Sequence, residues 1–356
     1  MKVLHLTRDF PPRHCGGIST AVGGLVRALD REGIHSAVVS FDDYHPGGVR
    51  GRIGVEAPAP IDWQGSVLRI DHDDDLAALD SFVRSFGPDL IQLHIDLGWE
   101  LATSLRETFG RPIVATLHVN HRQLLDVLGA ERESLSLAAQ QRVVEGADLL
   151  VAPTQAAAQG IPNERLHVAG FTVDLQPTAS LDAKRIVVVS RFAAAKGTDR
   201  LVELLPQLLE DPELQIDIVG GLPRSARRER RWQDKLSTSD RVTLHGWLPP
   251  AERDAIVSNA RLFLSTSRIE SFGLAVLEAV AQGVPVCGYR EPALEETAPS
   301  QLWLDDNVAP TILELVNDRD SCLQLGAKGR DAIPSWSSVV AAWRAAYDRV
   351  SNGGRR

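Results

Sequence analysis

Short apolar runs rich in Val, Ile and Leu recur through the chain, separated by stretches with helical period. Val3–Thr7, Ala37–Phe41, Leu90–His94, Ile113–His118 and Leu149–Ala152 read as strands. They lack the strict alternation of a sheet wetted on one face, so both faces are expected to be covered. Ser19–Asp30, with Val22, Leu25, Val26 and Leu29 along one side, and Leu76–Phe86 read as helices between them. Buried strands alternating with amphipathic helices imply parallel strands joined by helical crossovers. Phe171–Lys184, with Pro177, Thr178, Ser180 and Asp182, has no sustained period and reads as a linker.

The pattern then restarts. Arg185–Ser190, Gln215–Val219, Val242–Leu244 and Leu262–Ser265 read as strands, Thr198–Leu209 and Ser271–Ala281 as helices. The expectation is an α/β chain of two Rossmann-like, doubly wound parallel-sheet domains, residues 1–175 and 184–334. Residues 335–356 follow as a last helix with Trp336, Val339, Val340, Trp343 and Tyr347 at helical spacing. A chain of 356 residues has room for two such cores.

Composition narrows the function. A net charge of −9 removes the usual electrostatic support for nucleic-acid binding. No apolar run approaches the length of a membrane span. Charges at Lys2, Arg8 and Asp9 interrupt any signal-peptide core. Cys15, Cys287 and Cys322 are too scattered for a disulfide framework or a zinc ribbon, which points to a reducing, cytoplasmic setting. Asp71–Asp75, four Asp around His72, reads as a solvated helix start rather than a metal loop. Arg224–Arg231, with five arginines, reads as a solvated face; peripheral membrane contact is the less favoured alternative.

Three loops carry chemistry. Phe10-Pro-Pro-Arg-His-Cys-Gly16-Gly17-Ile18 joins the first strand to the first helix. Paired glycines there serve equally as turn residues or as a backbone cradle for phosphate. Ser190-Arg191-Phe-Ala-Ala-Ala-Lys196-Gly197 sets two cations at a strand's C-terminal end, where open α/β sheets bind ligands. A fork and a point charge suit a phosphate group. Glu270-Ser-Phe272-Gly273-Leu274-Ala-Val-Leu-Glu278 puts a polar loop before a helix. The helix is expected to begin near Ser271–Gly273, with Glu270 at its mouth and both carboxylates toward one face. The amides of Phe272, Gly273 and Leu274 suit a phosphate and the carboxylates suit sugar hydroxyls; a helix cap and a surface acid are the alternative.

Together these residues resemble the retaining glycosyltransferases of family 4, which have the two-domain glycosyltransferase-B architecture. Glu270 and Glu278 match that family's E-x7-E motif, and Ser190-Arg191 with Lys196-Gly197 its G/S-R-x4-K-G motif. Pro11-Pro12 with Gly16-Gly17-Ile18 matches the N-terminal motif, and Val114-Ala-Thr-Leu-His118 the V-x-T-x-H motif. The likeness runs over nearly the whole chain.

The resemblance implies two domains facing a central cleft, with the last helix crossing back to the N-domain. Arg191 and Lys196 would neutralise the leaving diphosphate, and Glu278 would hold the ribose. Glu270 and the Phe272–Leu274 amides would hold the sugar and phosphate. Gly16 and Gly17 would approach the donor phosphate or the acceptor, and His118 the sugar. The base would lie near Gly220-Gly221 and His245–Pro249. The implied activity is a retaining transfer of a hexosyl group from a nucleotide sugar, a uridine diphosphate sugar in the first instance, to a hydroxyl acceptor. No DxD motif stands at a strand end, so neither metal nor other cofactor is expected. The acceptor pocket would use Pro11–Ile18, His94–Trp99 and His118–Gln123. His94 reads either as a cleft residue or as a hydrogen-bonded strand end. The family's Asn-Gly-Val-Asp segment is reduced here to Gly170 and Asp174, and its Gly-Gly-x-x-Glu loop is replaced by Gly288–Glu296. The rivals are a non-catalytic nucleotide-sugar-binding protein and a phosphorylase or epimerase on the same fold.

Overall fold

The computed structural model describes residues 1–14, 16–41, 55–56, 63–70, 77–129, 135–220, 232–237 and 239–353. Cys15, the Asp71–Asp75 cluster, Gly221 and the Arg224–Arg231 cluster lie outside the described residues. The chain divides into two compact units: Met1–Arg122 with Glu131–Thr172 and Pro334–Arg356, and Gln123–Ala130 with Val173–Ile333.

The first unit holds a seven-stranded sheet. Its strands are β1 (Lys2–Thr7), β3 (His35–Ser40), β5 (Ser66–Arg69), β6 (Leu90–Leu93), β7 (Ile113–Thr116), β8 (Leu149–Ala152) and β9 (Leu166–Val168). The order is β5-β3-β1-β6-β7-β8-β9, all parallel. Two short strands, β2 (Arg13–His14) and β4 (Val55–Glu56), pair antiparallel beside it. β1 is buried on both faces. Leu4 and Leu6 join Val39, Ile91 and Leu93 in one core, while Val3, His5 and Thr7 face the other way and are fully buried too. Register sets His5 beside Gln92, so the second face carries a buried polar row through His5, Gln92, His94 and Thr116.

The last helix, Trp336–Gly353, belongs to this unit. Gly24 of helix Gly17–Arg31 lies under the Trp336 ring, where a Cβ would come within 2.5 Å of the indole. Trp343 and Tyr347 are fully buried, and Trp343 Nε1–H donates to Gly170 O at 2.9 Å.

The second unit holds a six-stranded sheet. Its strands are β10 (Arg185–Ser190), β11 (Gln215–Gly220), β12 (Val242–Gly246), β13 (Leu262–Ser265), β14 (Val286–Tyr289) and β15 (Leu302–Leu304). The order is β12-β11-β10-β13-β14-β15, again parallel. Ile186 and Val188 pack with Leu201, Leu205 and Ile216 on one face, and Val187 with Phe263 and Val276 on the other. In each sheet the strand order reverses at its first long strand. That places the loops after β1 and β6, and those after β10 and β13, at the points where such sheets bind ligands. Among the described residues no helix is long and apolar enough to cross a membrane.

Candidate active site

In the second unit the loops after β10 and β13 are laced together. Thr266 Oγ1 donates to Lys196 O at 2.9 Å, and the Arg268 amide to Ala195 O at 3.0 Å. Gly197, at φ +63°, ends the turn Ala194–Lys196; a Cβ there would lie 1.8 Å from Thr266 O. Only glycine permits both the conformation and the approach. Arg268 reaches across to Asp199, with Nη2 donating to Oδ2 at 2.6 Å, and this pair holds Asp199 below the usual carboxylate range.

The result is a short ion pair. Lys196 Nζ lies 2.6 Å from Glu270 Oε1, and Ser267 Oγ donates to the same oxygen at 2.9 Å. Both charged side chains are mostly buried. Arg191, at the head of the same loop, is exposed and pairs with none of the described residues. The Glu270 amide in turn hydrogen-bonds Glu291, a buried carboxyl that also caps helix Pro292–Thr297 by accepting from the Leu294 amide at 3.0 Å. Burial pushes Glu291 up to about 7.

The helix expected from Ser271 begins instead at Leu274, after Gly273 at φ +85°. A left-handed residue cannot continue a right-handed turn, so Glu270 stays in the loop. Glu270 and Glu278 therefore do not share a helix face, and the first-turn amides left open are those of Leu274 and Ala275; Val276 N–H already donates to Gly273 O. Gly273 also makes room for Leu294, whose Cδ2 would be 2.2 Å from a Cβ. Phe272 is part of that loop. Glu278 lies within the helix and accepts from Arg253 Nη2 at 3.0 Å. Burial raises its pKa, opposed by the Arg253 charge.

Gly220 ends β11 at φ +126°, where a Cβ would lie 2.0 Å from Ser190 O, so strand packing alone accounts for it. His245, in the segment expected near the base, donates its Nε2–H to Asp217 Oδ1 at 2.7 Å; Arg185 Nη1 holds the other oxygen at 2.6 Å. Sequence reasoning missed Arg253, Asp217 and Glu291. Only Glu291 had a local signal, an acid just before a proline that opens a helix.

In the first unit, Gly16 and Gly17 are exposed at the start of helix Gly17–Arg31. Among the described residues a Cβ on Gly16 would meet nothing within 4 Å, so packing there does not account for that glycine. Arg69 Nη2 donates to Pro11 O at 2.6 Å and pins the loop after β1. His118 is partly exposed just beyond β7 and stacks on Phe171, with centroids 5.5 Å apart. Its Nε2 lies 3.1 Å from His94 Nδ1, and His94 Nε2 lies 3.1 Å from His5 Nδ1. His94 is thus hydrogen-bonded on both sides and fully buried, which decides between its two readings. Burial pushes His118 down to about 4, His5 to about 3 and His94 well below the ordinary range.

Family models match both units. One described as Glycosyltransferase Family 4 matches residues 15–177, and one described as Glycosyl transferases group 1 matches residues 174–331. A phosphatidylinositol N-acetylglucosaminyltransferase chain of Arabidopsis thaliana is 29% identical over 183 residues, 48% of this chain and 40% of that protein. The matched stretch thus spans well under two thirds of that relative. GDP-mannose-dependent alpha-(1-6)-phosphatidylinositol monomannoside mannosyltransferase of Mycobacterium tuberculosis is 27% identical over 392 aligned positions, covering 96% of this chain and 94% of that protein. Among solved structures, sucrose-phosphate synthase from Thermosynechococcus elongatus superposes with a TM-score of 0.77 at 21% identity, covering 99% of this chain and 100% of that one.

Proposed function

The chain belongs to glycosyltransferase family 4, and from that premise we propose that it moves a glycosyl group, with retention, from a nucleoside diphosphate sugar to an acceptor hydroxyl. The observation that carries this reading is the Lys196–Glu270 pair, held at the strand-order reversal, with exposed Arg191 at the head of the same loop. Lys196, Arg191 and the open amides of Leu274 and Ala275 supply positive charge where a diphosphate would leave. Glu270, paired with Lys196 in the free protein, is placed to turn to sugar hydroxyls once phosphate takes the ammonium. Glu278, oriented by Arg253, serves the ribose. Gly16, a glycine with no packing reason, suits close backbone approach to a ligand.

Retention follows from attack on the face the diphosphate leaves. The acceptor oxygen bonds to the anomeric carbon as the bond to the phosphate oxygen breaks. That phosphate oxygen takes the hydroxyl proton. His118, neutral by burial, is a hydrogen-bond donor in this reading and not a proton shuttle. The cations and amides make the step metal-independent, so a chelator should leave the rate unchanged. Buried free thiols at Cys287 and Cys322 fit action in the cytoplasm.

The donor base is tested directly. Uridine, guanosine and adenosine diphosphates and their sugars are compared by thermal shift on the native protein and on Lys196→Ala, followed by product analysis. Guanosine enters because of the mannosyltransferase relative, uridine as the first expectation. Phosphatidylinositol and its monomannoside open the acceptor panel, from the names of the two relatives. A shift for one series that Lys196→Ala abolishes supports the reading. No shift and no product with any donor overturns it.

A further inference from the structure

The three histidines of the first unit form one hydrogen-bonded row with a closed end and an open end. Each N···N contact of 3.1 Å needs one N–H and one bare nitrogen. The ring nitrogen at the closed end, His5 Nε2, is buried with no hydrogen-bond partner among the described residues. The nitrogen at the other end is Nδ1 of His118, the one partly exposed ring of the three.

With all rings neutral only two arrangements satisfy both contacts. In one, each ring carries its proton on Nδ1. His5 donates to His94, His94 donates to His118, and His5 Nε2 is a bare acceptor. In the other every proton sits on Nε2, and His5 Nε2–H becomes a buried donor with nothing to receive it. Orphaned buried N–H groups are rarer than under-satisfied acceptors, which favours the first arrangement.

We infer that His94 and His5 are positioning residues that fix His118 as the tautomer presenting Nδ1–H outward, to an oxygen of the bound sugar or phosphate. The inference rests on the proposed contact of His118 with substrate. Protonating His118 would put hydrogen on its Nε2, which reverses the whole row and strands a proton at His5. The row therefore also keeps His118 uncharged. The rings stay in place by packing: His94 stacks on His5 with centroids 5.4 Å apart and interplanar angle 11°, and Trp343 and Phe171 close around His94 and His118.

The test uses the full chain labelled with ¹⁵N at histidine, at neutral pH and without ligand. Two-bond proton–nitrogen correlations should show His118 and His94 protonated on Nδ1 and bare on Nε2. A His118 protonated on Nε2, or charged, overturns the inference. Two variants separate positioning from packing. His94→Asn places an amide N–H near the position of the ring Nδ1–H, whereas His94→Asp has the same size and only accepts. The Asn variant should keep kcat/KM within about threefold of the native protein, and the Asp variant should fall by about tenfold or more with the His118 tautomer inverted. Equal losses in both variants overturn the positioning role. Should the Asp variant fail to fold, the spectra of the native chain and of His94→Asn decide. Tautomers as stated in a protein inactive with every donor would instead sink the proposed function.

Discussion

Lys196 and Glu270 approach to 2.6 Å although 74 residues separate them, so each already has a partner before any ligand arrives. On the proposed reading, the charge offered to a diphosphate is therefore the net field of a pair together with Arg191 at the head of the same loop, not a lone ammonium. Removing Lys196 takes away the cation and also leaves an unpaired carboxylate that repels phosphate. Lys196→Ala should lower kcat/KM by about 10²–10³, the scale of losing a leaving-group stabiliser. Lys196→Ala combined with Glu270→Gln should bind nucleoside diphosphate more tightly than Lys196→Ala alone. A double-mutant cycle by calorimetry reads this coupling, and strict additivity would count against it.

Gly197 is demanded by both conformation and packing, whereas Gly16 is demanded by neither among the described residues. Gly16→Ala should leave the melting temperature within about 2 °C of the native value, since its Cβ meets nothing. It should reduce kcat/KM, raising KM for donor or acceptor. Gly197→Ala combines φ +63° with a backbone oxygen at 1.8 Å, and should cost more than about 1 kcal/mol in urea unfolding. Similar melting temperatures for the two variants would refute the distinction.

Acid should loosen the first unit. His5, His94 and His118 hold pKa values depressed by burial, while the unfolded chain takes up protons near 6.5. Below that pH the unfolded state binds more protons than the folded one, so stability is complete above 6.5 and is lost as pH falls toward 4. Each such histidine adds up to about 1.4 kcal/mol per pH unit to that slope. His5→Leu should flatten the slope by about one proton's worth; an unchanged slope would mean His5 is charged or exposed in the fold.

Glu291 carries the opposite sign in the second unit. Its pKa rises from 4.5 to about 7 on folding, so between those values the folded state holds the extra proton. Stability from this group is full below 4.5 and is lost as pH rises through 7. Glu291→Gln keeps an acceptor for the Leu294 amide and should gain stability over the native chain at pH 8 relative to pH 5. Melting curves at both values check this, and a gain at pH 5 alone would refute it.

Much of the fold was legible because its strands are buried runs: Arg185–Ser190 and Leu262–Ser265 match their expected bounds to the residue. The strands not singled out are short or broken in character. β14 is only Val-Cys-Gly-Tyr, its Gly288 placed where a Cβ would sit 2.1 Å from Ser265 O. β15 is three residues. At the candidate site, motif spacing singled out Lys196 and Glu270, which the structure brings into contact, and Glu278, which pairs with Arg253 instead; helical geometry was carried too far back because the left-handed turn at Gly273 was not foreseen. Arg253 and Asp217 were invisible for a different reason. Their partners lie 25 and 28 residues away, and nothing in local pattern reports such a contact. The histidine row likewise exists only through the register of β1, β6 and β7.

The last helix, Trp336–Gly353, shares the first unit with the opening strand, and Trp343 lies against His94. A domain made on the ribosome ordinarily folds once its own residues have emerged. Here the first unit cannot close around Trp343 until the second unit, which lies between its segments, has been made. The second unit, contiguous from Val173 to Ile333 apart from Gln123–Ala130, is free to finish earlier. Closure of the first unit thus waits on a segment that follows the second in the chain.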